Sequence, residues 1–317
     1  FDIPLEKLPR IVEPWEVVGY VTAEAAELLG LRRGTPVVAG AGDQAAAMLG
    51  AGVVRAGQIY DAAGTASVLA ACTARFVPDS RYLALLTARM IPQDLWYAIG
   101  YINGGGLNLR WFRDLLRRTD GAGAVDYARL DEMAAQVGPG SDGLVFVPHL
   151  GGRVCPNQPE IRGAWVGLTW SHGPGHLYRA ILESVAFEYA IYLGIARELL
   201  PGVEFSEVRV VGGGARSPLW NQIKADVLGV PYVQLNVSEA SALGLAILAG
   251  YGVGVFRDWE DAVQRFTAPV RRFEPDPAAG ARYREMARYY RALLEDHGAV
   301  WRDLELATSL SPGGARP

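Results

Sequence analysis

An aspartate that follows a glycine-rich bend is the residue best placed for chemistry in this sequence. Asp43 comes directly after Gly40-Ala41-Gly42, and the apolar residues 37–39 before the bend are typical of the end of a buried strand. The alanine-rich residues 44–49 favour a helix. In open α/β sheets, ligands bind at the edge where strands end and helices begin. Asp43 is therefore a candidate ligand-facing carboxylate, and the alternative is that it only caps its helix.

A short turn between two apolar segments is a second candidate site. Residues 58–61 and 67–71 are predicted strands, and residues 62–65 (AAGT) connect them as a hairpin. The backbone N–H groups of such small residues are uncovered, so a phosphate could approach Gly64 and the Thr65 hydroxyl. An ordinary hairpin turn has the same sequence features, so both interpretations stay open.

Two glycine clusters precede predicted helices. Residues 103–106 (NGGG) open a helix predicted over residues 107–117. Residues 212–217 (GGGARS) follow an apolar strand, and a helix begins near Pro218. A helix N-terminus offers unpaired N–H groups and a favourable dipole, so each cluster suits a nucleotide phosphate. A flexible entry loop is the alternative for the first cluster.

The second cluster departs from the dinucleotide-binding fingerprint. That fingerprint requires glycine or alanine at its third position, where this chain has Ser217. The next predicted strand, residues 232–235, is not followed by the acidic residue that binds a ribose. The sequence therefore argues against an NAD site.

Composition and charge exclude several classes of protein. The 317 residues are 50% hydrophobic and 20% charged, which is typical of a globular chain of one large or two ordinary domains. The net charge of −4 and the lack of a basic stripe give no reason to expect nucleic acid as a partner. Neither the two cysteines nor the four histidines have metal-site spacing. Without a long apolar run or a visible signal peptide, we expect a cytoplasmic protein that does not enter membranes.

The remaining pattern predicts an α/β architecture, with helices layered around a sheet. A helix begins after Thr22 and ends at Gly30, and from Pro36 onward strands alternate with helices. Strands are predicted at residues 145–150 and 164–169, with a long loop between them whose role is open, as is any ligand contact of its Arg153 or Asn157. A long helix covers residues 176–199, and its His176 is expected to cap or pack.

One segment resembles a known family at each defining position. Residues 163–183 (GAWVGLTWSHGPGHLYRAILE) resemble the second signature of the FGGY carbohydrate kinases. The matching positions are Gly163, Trp165, Gly167, Leu168, His176, Leu177, Ala180, Ile181, Leu182 and Glu183. The AGAGDQ, GT, GGGLNLRWFRD and VVGGGARSPLWNQIKADVLGVPY stretches resemble the family's catalytic-aspartate, phosphate-hairpin, triphosphate-side helix and adenosine motifs. Residues 148–169 are most similar to kinases of ketopentoses such as xylulose.

The resemblance implies an actin-like, ribonuclease H-like ATPase fold and a kinase that uses ATP with Mg²⁺. Asp43 would be the general base that takes the proton from the sugar hydroxyl as that hydroxyl attacks the γ-phosphorus. Thr65 and the N–H groups of Gly64 and Thr65 would hold phosphates, and Arg110 could reach a phosphate as well. The residues implied beside ATP are Gly64, Thr65, Gly106, Arg110, Gly213, Gly214, Ala215, Ser217 and Asn221, and no protein metal ligand is implied.

The sequence also departs from the family pattern. Members have two actin-like domains, and the first supplies an Asp-x-Gly-Thr phosphate hairpin that this chain lacks. Its nearest string, from Asp61 to Thr65, has one residue too many. We therefore predict that residues 1–50 are the end of the first, sugar-binding domain, with exposed apolar edges, and that residues 51–317 are the second, ATP-binding domain.

These departures leave two functional interpretations open. The first is a sugar kinase that is inefficient as residues 1–317 alone, with a missing N-terminal half as a candidate partner. The second is a non-catalytic nucleotide-binding or assembly subunit. A homodimer is a reasonable expectation for either.

Overall fold

A mixed sheet organises the chain in the computed structural model, which describes residues 4–120, 125–296 and 300–303. The strands are β1 (Val17–Tyr20), β2 (Pro36–Val38), β3 (Gln58–Ala63), β4 (Ser67–Thr73), β5 (Leu86–Arg89), β6 (Trp96–Ile102), β7 (Val145–Val147), β8 (Ala164–Val166), β9 (Glu207–Val211), β10 (Tyr232–Leu235) and β11 (Pro269–Phe273). The helices are α1 (Ala23–Leu29), α2 (Asp43–Gly50), α3 (Gly105–Asp120), α4 (Tyr127–Ala135), α5 (Pro174–Leu199), α6 (Pro218–Leu228), α7 (Ala240–Gly252), α8 (Trp259–Phe266) and α9 (Pro277–Asp296).

Within the described ranges, seven strands form the main sheet in the order β11-β10-β9-β3-β4-β6-β5. The β3–β9 and β9–β10 pairs are parallel, and the other pairs are antiparallel. β1 pairs with β2, and β7 pairs with β8, in two separate antiparallel ribbons. The predicted hairpin is confirmed, because β3 and β4 are antiparallel neighbours joined by a three-residue tip.

Strand β4 is buried on both faces, because helices cover both sides of the sheet. Its side chains alternate between two apolar cores, as the pleat of a strand requires. Val68, Ala70 and Cys72 point into the core that contains α2 and α7. Leu69 and Ala71 point into the larger core that contains α5, α6 and α9. The predicted layering of helices around a sheet is therefore confirmed.

The 26-residue helix α5 crosses the larger core and confirms the predicted long helix. His176 confirms its expected capping role, because its Nδ1 accepts from the Gly173 N–H at 3.2 Å. Its Nε2 lies 3.1 Å from Asp142 Oδ2. None of the helices in the described ranges combines the length and apolar character that a membrane span requires.

The N-terminal elements form a small unit beside the main sheet. Helix α1 confirms the predicted bounds, since Thr22 Oγ1 accepts from the Ala25 N–H and Gly30 ends the helix at a φ of +66°. Apolar side chains of this unit are exposed, with Tyr20 of β1 at 65% and Leu28 of α1 at 82% of full exposure.

Two predicted strands are shorter in the structure, and each has a local reason. β7 ends at Val147 because Pro148 follows, and proline has no N–H group to continue a ladder. β8 ends at Val166 because Gly167 turns the chain at a φ of +91°. The loop between these strands carries Arg153 into the core, where it forms an ion pair with Glu188.

Glu188 is the centre of a buried polar cluster on α5. Its carboxylate contacts Arg153 at 3.2 Å and His149 at 3.1 Å, and it accepts from the Tyr290 hydroxyl at 2.6 Å. Burial alone raises the pKa of the Glu188 carboxyl, but the Arg153 charge and the hydrogen bonds outweigh burial and lower the pKa to about 2.

We expect Glu188→Gln to destabilise the fold at pH 7. The substitution leaves the Arg153 charge buried without its partner, which typically costs about 3–5 kcal/mol of unfolding free energy. Chemical denaturation of both proteins measures the difference.

Measurements at acid pH test whether the lost ion pair causes this destabilisation. The folded pKa of Glu188 lies below its ordinary value of 4.5, so its stabilisation is present above pH 4.5 and is lost as pH falls toward about 2. The difference between wild type and variant must shrink over that window, and a constant difference contradicts the electrostatic explanation. Glu285→Gln, which removes an exposed partner of Arg282, is the control and should change little.

Candidate active site

Two backbone bends lie side by side because their strands are parallel neighbours. In the β3–β9 ladder, Ala62 lies opposite Val211, so both strands end at the same edge of the sheet. The chain turns at Gly64 after β3 and at Gly212 after β9. Parallel pairing therefore joins the predicted phosphate hairpin and the predicted adenosine bend into one site.

The hairpin tip is exposed and is held from two sides. The Gly64 N–H donates to the Ala66 carbonyl at 2.9 Å. The Leu107 N–H donates to the Thr65 carbonyl at 2.9 Å and ties the tip to the start of α3. Within the described residues, the Thr65 hydroxyl has no hydrogen-bond partner, so it is available as a donor to a ligand.

Helix α3 approaches the hairpin so closely that only glycine fits. A Cβ at Gly106 would lie 2.0 Å from the Gly64 carbonyl oxygen, and one at Gly105 would lie 1.8 Å from Ser67 Oγ. Both glycines lie in the first turn of the helix, so α3 starts earlier than the predicted residue 107. Arg110, one turn further along, is exposed on the same side as Gly106 and lines the cleft with it.

The second bend turns at Gly212, with a φ of +84°, and continues as a single 3-10 turn over Gly213–Arg216. Ser217 then caps α6, because its Oγ accepts from the Trp220 N–H at 3.1 Å. A proline in the first turn of α6 confirms the predicted helix start. The backbone of Gly213 and Gly214 lines the cleft.

Two residues predicted beside the nucleotide lie beneath the bend. Ala215 is buried, and Asn221 is completely shielded from solvent. Asn221 Nδ2 donates to the Ala215 carbonyl at 2.8 Å and so holds the bend from below. In this structure both residues shape the surface that faces the cleft without forming part of it.

The bends surround a cleft of about 930 Å³. Seven of the predicted site residues line it: Gly64, Thr65, Gly106, Arg110, Gly213, Gly214 and Ser217. The cleft also has an apolar part, to which Leu109, Leu182 and Trp220 contribute.

Helix α4 supplies a wall of the cleft that the sequence analysis did not identify as part of the site. Asp131 Oδ2 accepts from Ser217 Oγ at 2.6 Å, so this wall is joined to the second bend. Burial raises the pKa of the Asp131 carboxyl, and hydrogen bonds from Ser217 and Tyr178 oppose the rise. The sequence feature that could have indicated this helix is Asp126, which caps α4 and is followed at helical spacing by the buried Leu130.

Two cations make the cleft suitable for an anion. Arg110 and Arg216 line it, both are exposed, and neither forms an ion pair with another described residue. Together with the N–H groups of the bends, they suit a ligand that carries several phosphates. The apolar part suits a flat ring. Nowhere in the described ranges do three or more His, Cys, Asp or Glu side chains form a group that could hold a metal ion.

Asp43 is exposed at the start of α2 and does not line the cleft. Among the residues that the structure describes, its Oδ1 accepts only from the adjacent Gln44 N–H at 2.8 Å, and Gly42 takes the N-cap position. The pKa of the Tyr97 hydroxyl in β6 is raised mainly by burial and, to a smaller extent, by the negative charge of Asp43. The predicted role of Asp43 as a base stays a prediction.

Two adjacent glycines of the second bend allow a matched test of its packing. A Cβ at Gly214 would lie 2.5 Å from the Trp220 ring and 2.6 Å from Ala63 Cβ, whereas the nearest atom to a Cβ at Gly213 is 4.0 Å away. We expect Gly214→Ala to lower the free energy of unfolding by about 1–3 kcal/mol through overpacking. Gly213→Ala is the control and should retain wild-type stability in thermal and chemical unfolding. Equal stability of both variants contradicts the described geometry.

The chain matches both domains of one family. Residues 60–253 match the C-terminal domain of the FGGY family of carbohydrate kinases, and residues 1–50 match its N-terminal domain. A xylulose kinase of Staphylococcus epidermidis is 30% identical over 302 residues, which are 95% of this chain and 59% of that protein. A gluconokinase of Bacillus subtilis is 31% identical over 288 residues, which are 89% of this chain and 55% of that protein.

The fold is also similar to that of a solved structure. The crystal structure of a xylulose kinase from Rhodospirillum rubrum superposes with a TM-score of 0.84 at 32% identity, over 95% of this chain and 59% of that one. The predicted actin-like α/β fold is thereby confirmed. The chain spans less than two thirds of the length of these relatives. Because one match to the family covers more than half of its residues, the chain belongs to the FGGY family of carbohydrate kinases.

Proposed function

We propose that this chain is the ATP-binding and base-carrying part of a sugar kinase that transfers the γ-phosphate of ATP to a sugar hydroxyl. The observation that carries the proposal is the meeting of two glycine-containing bends, the glycine-containing start of α3 and two exposed arginines around one cleft with an apolar part. Membership of a family of carbohydrate kinases supports it independently.

The cleft fits ATP at both of its ends. Gly64 and Thr65 would hold phosphates, with Arg110 beside them, because N–H groups and a guanidinium fork bind phosphate oxygens well. Gly213 and Gly214 would carry the adenosine on their backbone, with Ser217 at its edge. Mg²⁺ is proposed as the accompanying ion, since it is typically bound through substrate phosphates and retained water.

Asp43 is proposed as the general base. It stands at an exposed helix N-terminus, where a sugar hydroxyl could reach its carboxylate. Phosphoryl transfer depends mainly on positioning and electrostatics, so the base would orient the hydroxyl and take its proton. Closure of the two domains is expected to bring Asp43 and the cleft together.

The proposed acceptor is a ketopentose such as xylulose. A xylulose kinase is among the relatives by sequence and another is among those by structure, and the former covers 95% of this chain. A gluconokinase of similar identity makes gluconate the second candidate acceptor. We further propose residues 1–50 as the end of a sugar-binding domain and residues 51–317 as the ATP-binding domain, in a cytoplasmic protein that acts as a homodimer.

Nucleotide binding by this chain is the first test. Isothermal titration calorimetry should detect ATP binding by wild type, and Arg110→Ala should weaken it on the order of 10-fold, because one charge-assisted contact to phosphate is lost. Arg118→Ala removes the same side chain from the far end of α3, outside the cleft, and should leave the affinity unchanged. Equal losses in the two variants contradict the assignment of Arg110 to the phosphates.

Phosphoryl transfer is the second test. We expect Asp43→Asn to reduce the Mg²⁺-dependent phosphorylation of xylulose by the full gene product by ~10²–10⁴-fold, the usual cost of removing a general base. The Kd for ATP should stay near that of wild type. Glu27→Gln, which alters an exposed carboxylate of α1, is the control and should retain full activity.

The same assay distinguishes a sugar kinase from the second candidate function, a non-catalytic nucleotide-binding subunit. ATP binding with no turnover of xylulose, gluconate or glycerol favours a non-catalytic nucleotide-binding subunit. Wild-type activity in Asp43→Asn removes the base assignment while leaving the kinase proposal intact.

A further inference from the structure

A buried ion pair joins the elements that carry the two bends of the cleft. Asp61 in β3 and Lys224 in α6 are both completely shielded from solvent, and Lys224 Nζ lies 2.5 Å from Asp61 Oδ2. The ammonium group also lies 4.6 Å from the ring centre of Trp220 and 5.1 Å from that of Tyr232. The Tyr189 hydroxyl donates to Asp61 Oδ1 at 2.8 Å. Both carboxylate oxygens therefore have a partner.

The position of the pair relates directly to the cleft. Asp61 precedes the hairpin residue Gly64 along β3, and in the ladder it lies opposite Val210, which leads into the second bend. Lys224 stands on the helix that begins immediately after that bend. The ion pair thus connects the strand of the first bend to the helix of the second.

The need to hold β3 and α6 together does not by itself explain why an ion pair joins them. Removing two charges from water is costly, and well-packed apolar side chains of similar volume often hold buried elements equally well. An ion pair with a second hydrogen bond adds direction, because both carboxylate oxygens have a defined partner. Such a contact restricts the distance and the angle at which the strand and the helix can meet.

We propose that Asp61 and Lys224 are positioning residues that set the spacing between the phosphate hairpin and the adenosine bend. This inference rests on the proposed function. Neither residue lines the cleft, so neither would contact a nucleotide bound there. A ligand that reaches both bends gains affinity because binding at one raises its effective concentration at the other. A change in spacing removes that gain and leaves each bend able to bind its own part.

The matched test compares ATP, which spans both bends, with adenosine, which reaches only one. In the whole chain, Asp61→Asn combined with Lys224→Met removes both charges at similar volume. By titration calorimetry, we expect the ATP affinity to fall about 10-fold and the adenosine affinity to change less than about 2-fold. Arg153→Met combined with Glu188→Gln removes a different buried pair, which does not line the cleft, and should change both affinities less than about 2-fold.

A milder variant keeps the inference testable if the double variant does not fold. Tyr189→Phe removes one hydrogen bond to Asp61 and retains both charges. It should weaken ATP binding by about 2–3-fold with no change for adenosine.

Several results overturn the inference. Equal losses for ATP and adenosine indicate general loosening, and an unchanged ATP affinity in the folded variants shows that the pair does not set the spacing. The inference is also overturned if the control double variant loses as much ATP affinity as the Asp61→Asn and Lys224→Met double variant. A wild-type chain that binds no ATP overturns the proposed function itself, which distinguishes that failure from failure of the positioning role.

Discussion

Backbone hydrogen bonds between β3 and β9 are the constraint on which the rest of the site depends. They bring two turns that are about 150 residues apart in the chain to one edge of the sheet. The glycines around this edge then fall into two groups. Gly106 lets the start of α3 touch the backbone of Gly64, and Gly214 leaves room for the Trp220 ring and Ala63, whereas a Cβ at Gly64 or Gly213 would meet nothing closer than 3.8 Å. The first group builds the cleft, and the second leaves its surface open to a ligand.

Much of this arrangement could be predicted from the sequence because the relevant signals are local. The apolar runs of β3, β4 and β6 and the turn residues between them identify the hairpin and its neighbour strand. The helix starts after glycine clusters follow from capping preferences. Sequence reasoning could not supply the distances between these pieces, because they depend on strand order and on long-range packing.

The limits of the sequence analysis are clearest at α4 and at Asn221. The residues around α4 have a mixture of small and acidic side chains that is equally typical of a surface helix. The structure shows that this helix borders the cleft and is joined to the second bend by the Asp131–Ser217 hydrogen bond. Asn221 was predicted beside the ligand because it belongs to the stretch that resembles the family's adenosine motif. The helical period instead turns its side chain inward to the Ala215 carbonyl. The segment that carries the family signature is largely scaffold: Glu183 accepts from the Gly140 N–H and Ser141 Oγ in the core.

The contact between α2 and α7 has a mechanical consequence for Asp43. A Cβ at Gly50 would lie 1.9 Å from the Ala240 carbonyl oxygen, and one at Gly244 would lie 1.8 Å from that of Ala46. Two helices whose backbones touch at both places cannot slide past each other without a steric clash. The carboxylate of Asp43 therefore moves as one rigid body with α7. A movement that changes the distance between the Asp43 carboxylate and the cleft must therefore carry α7 along with α2.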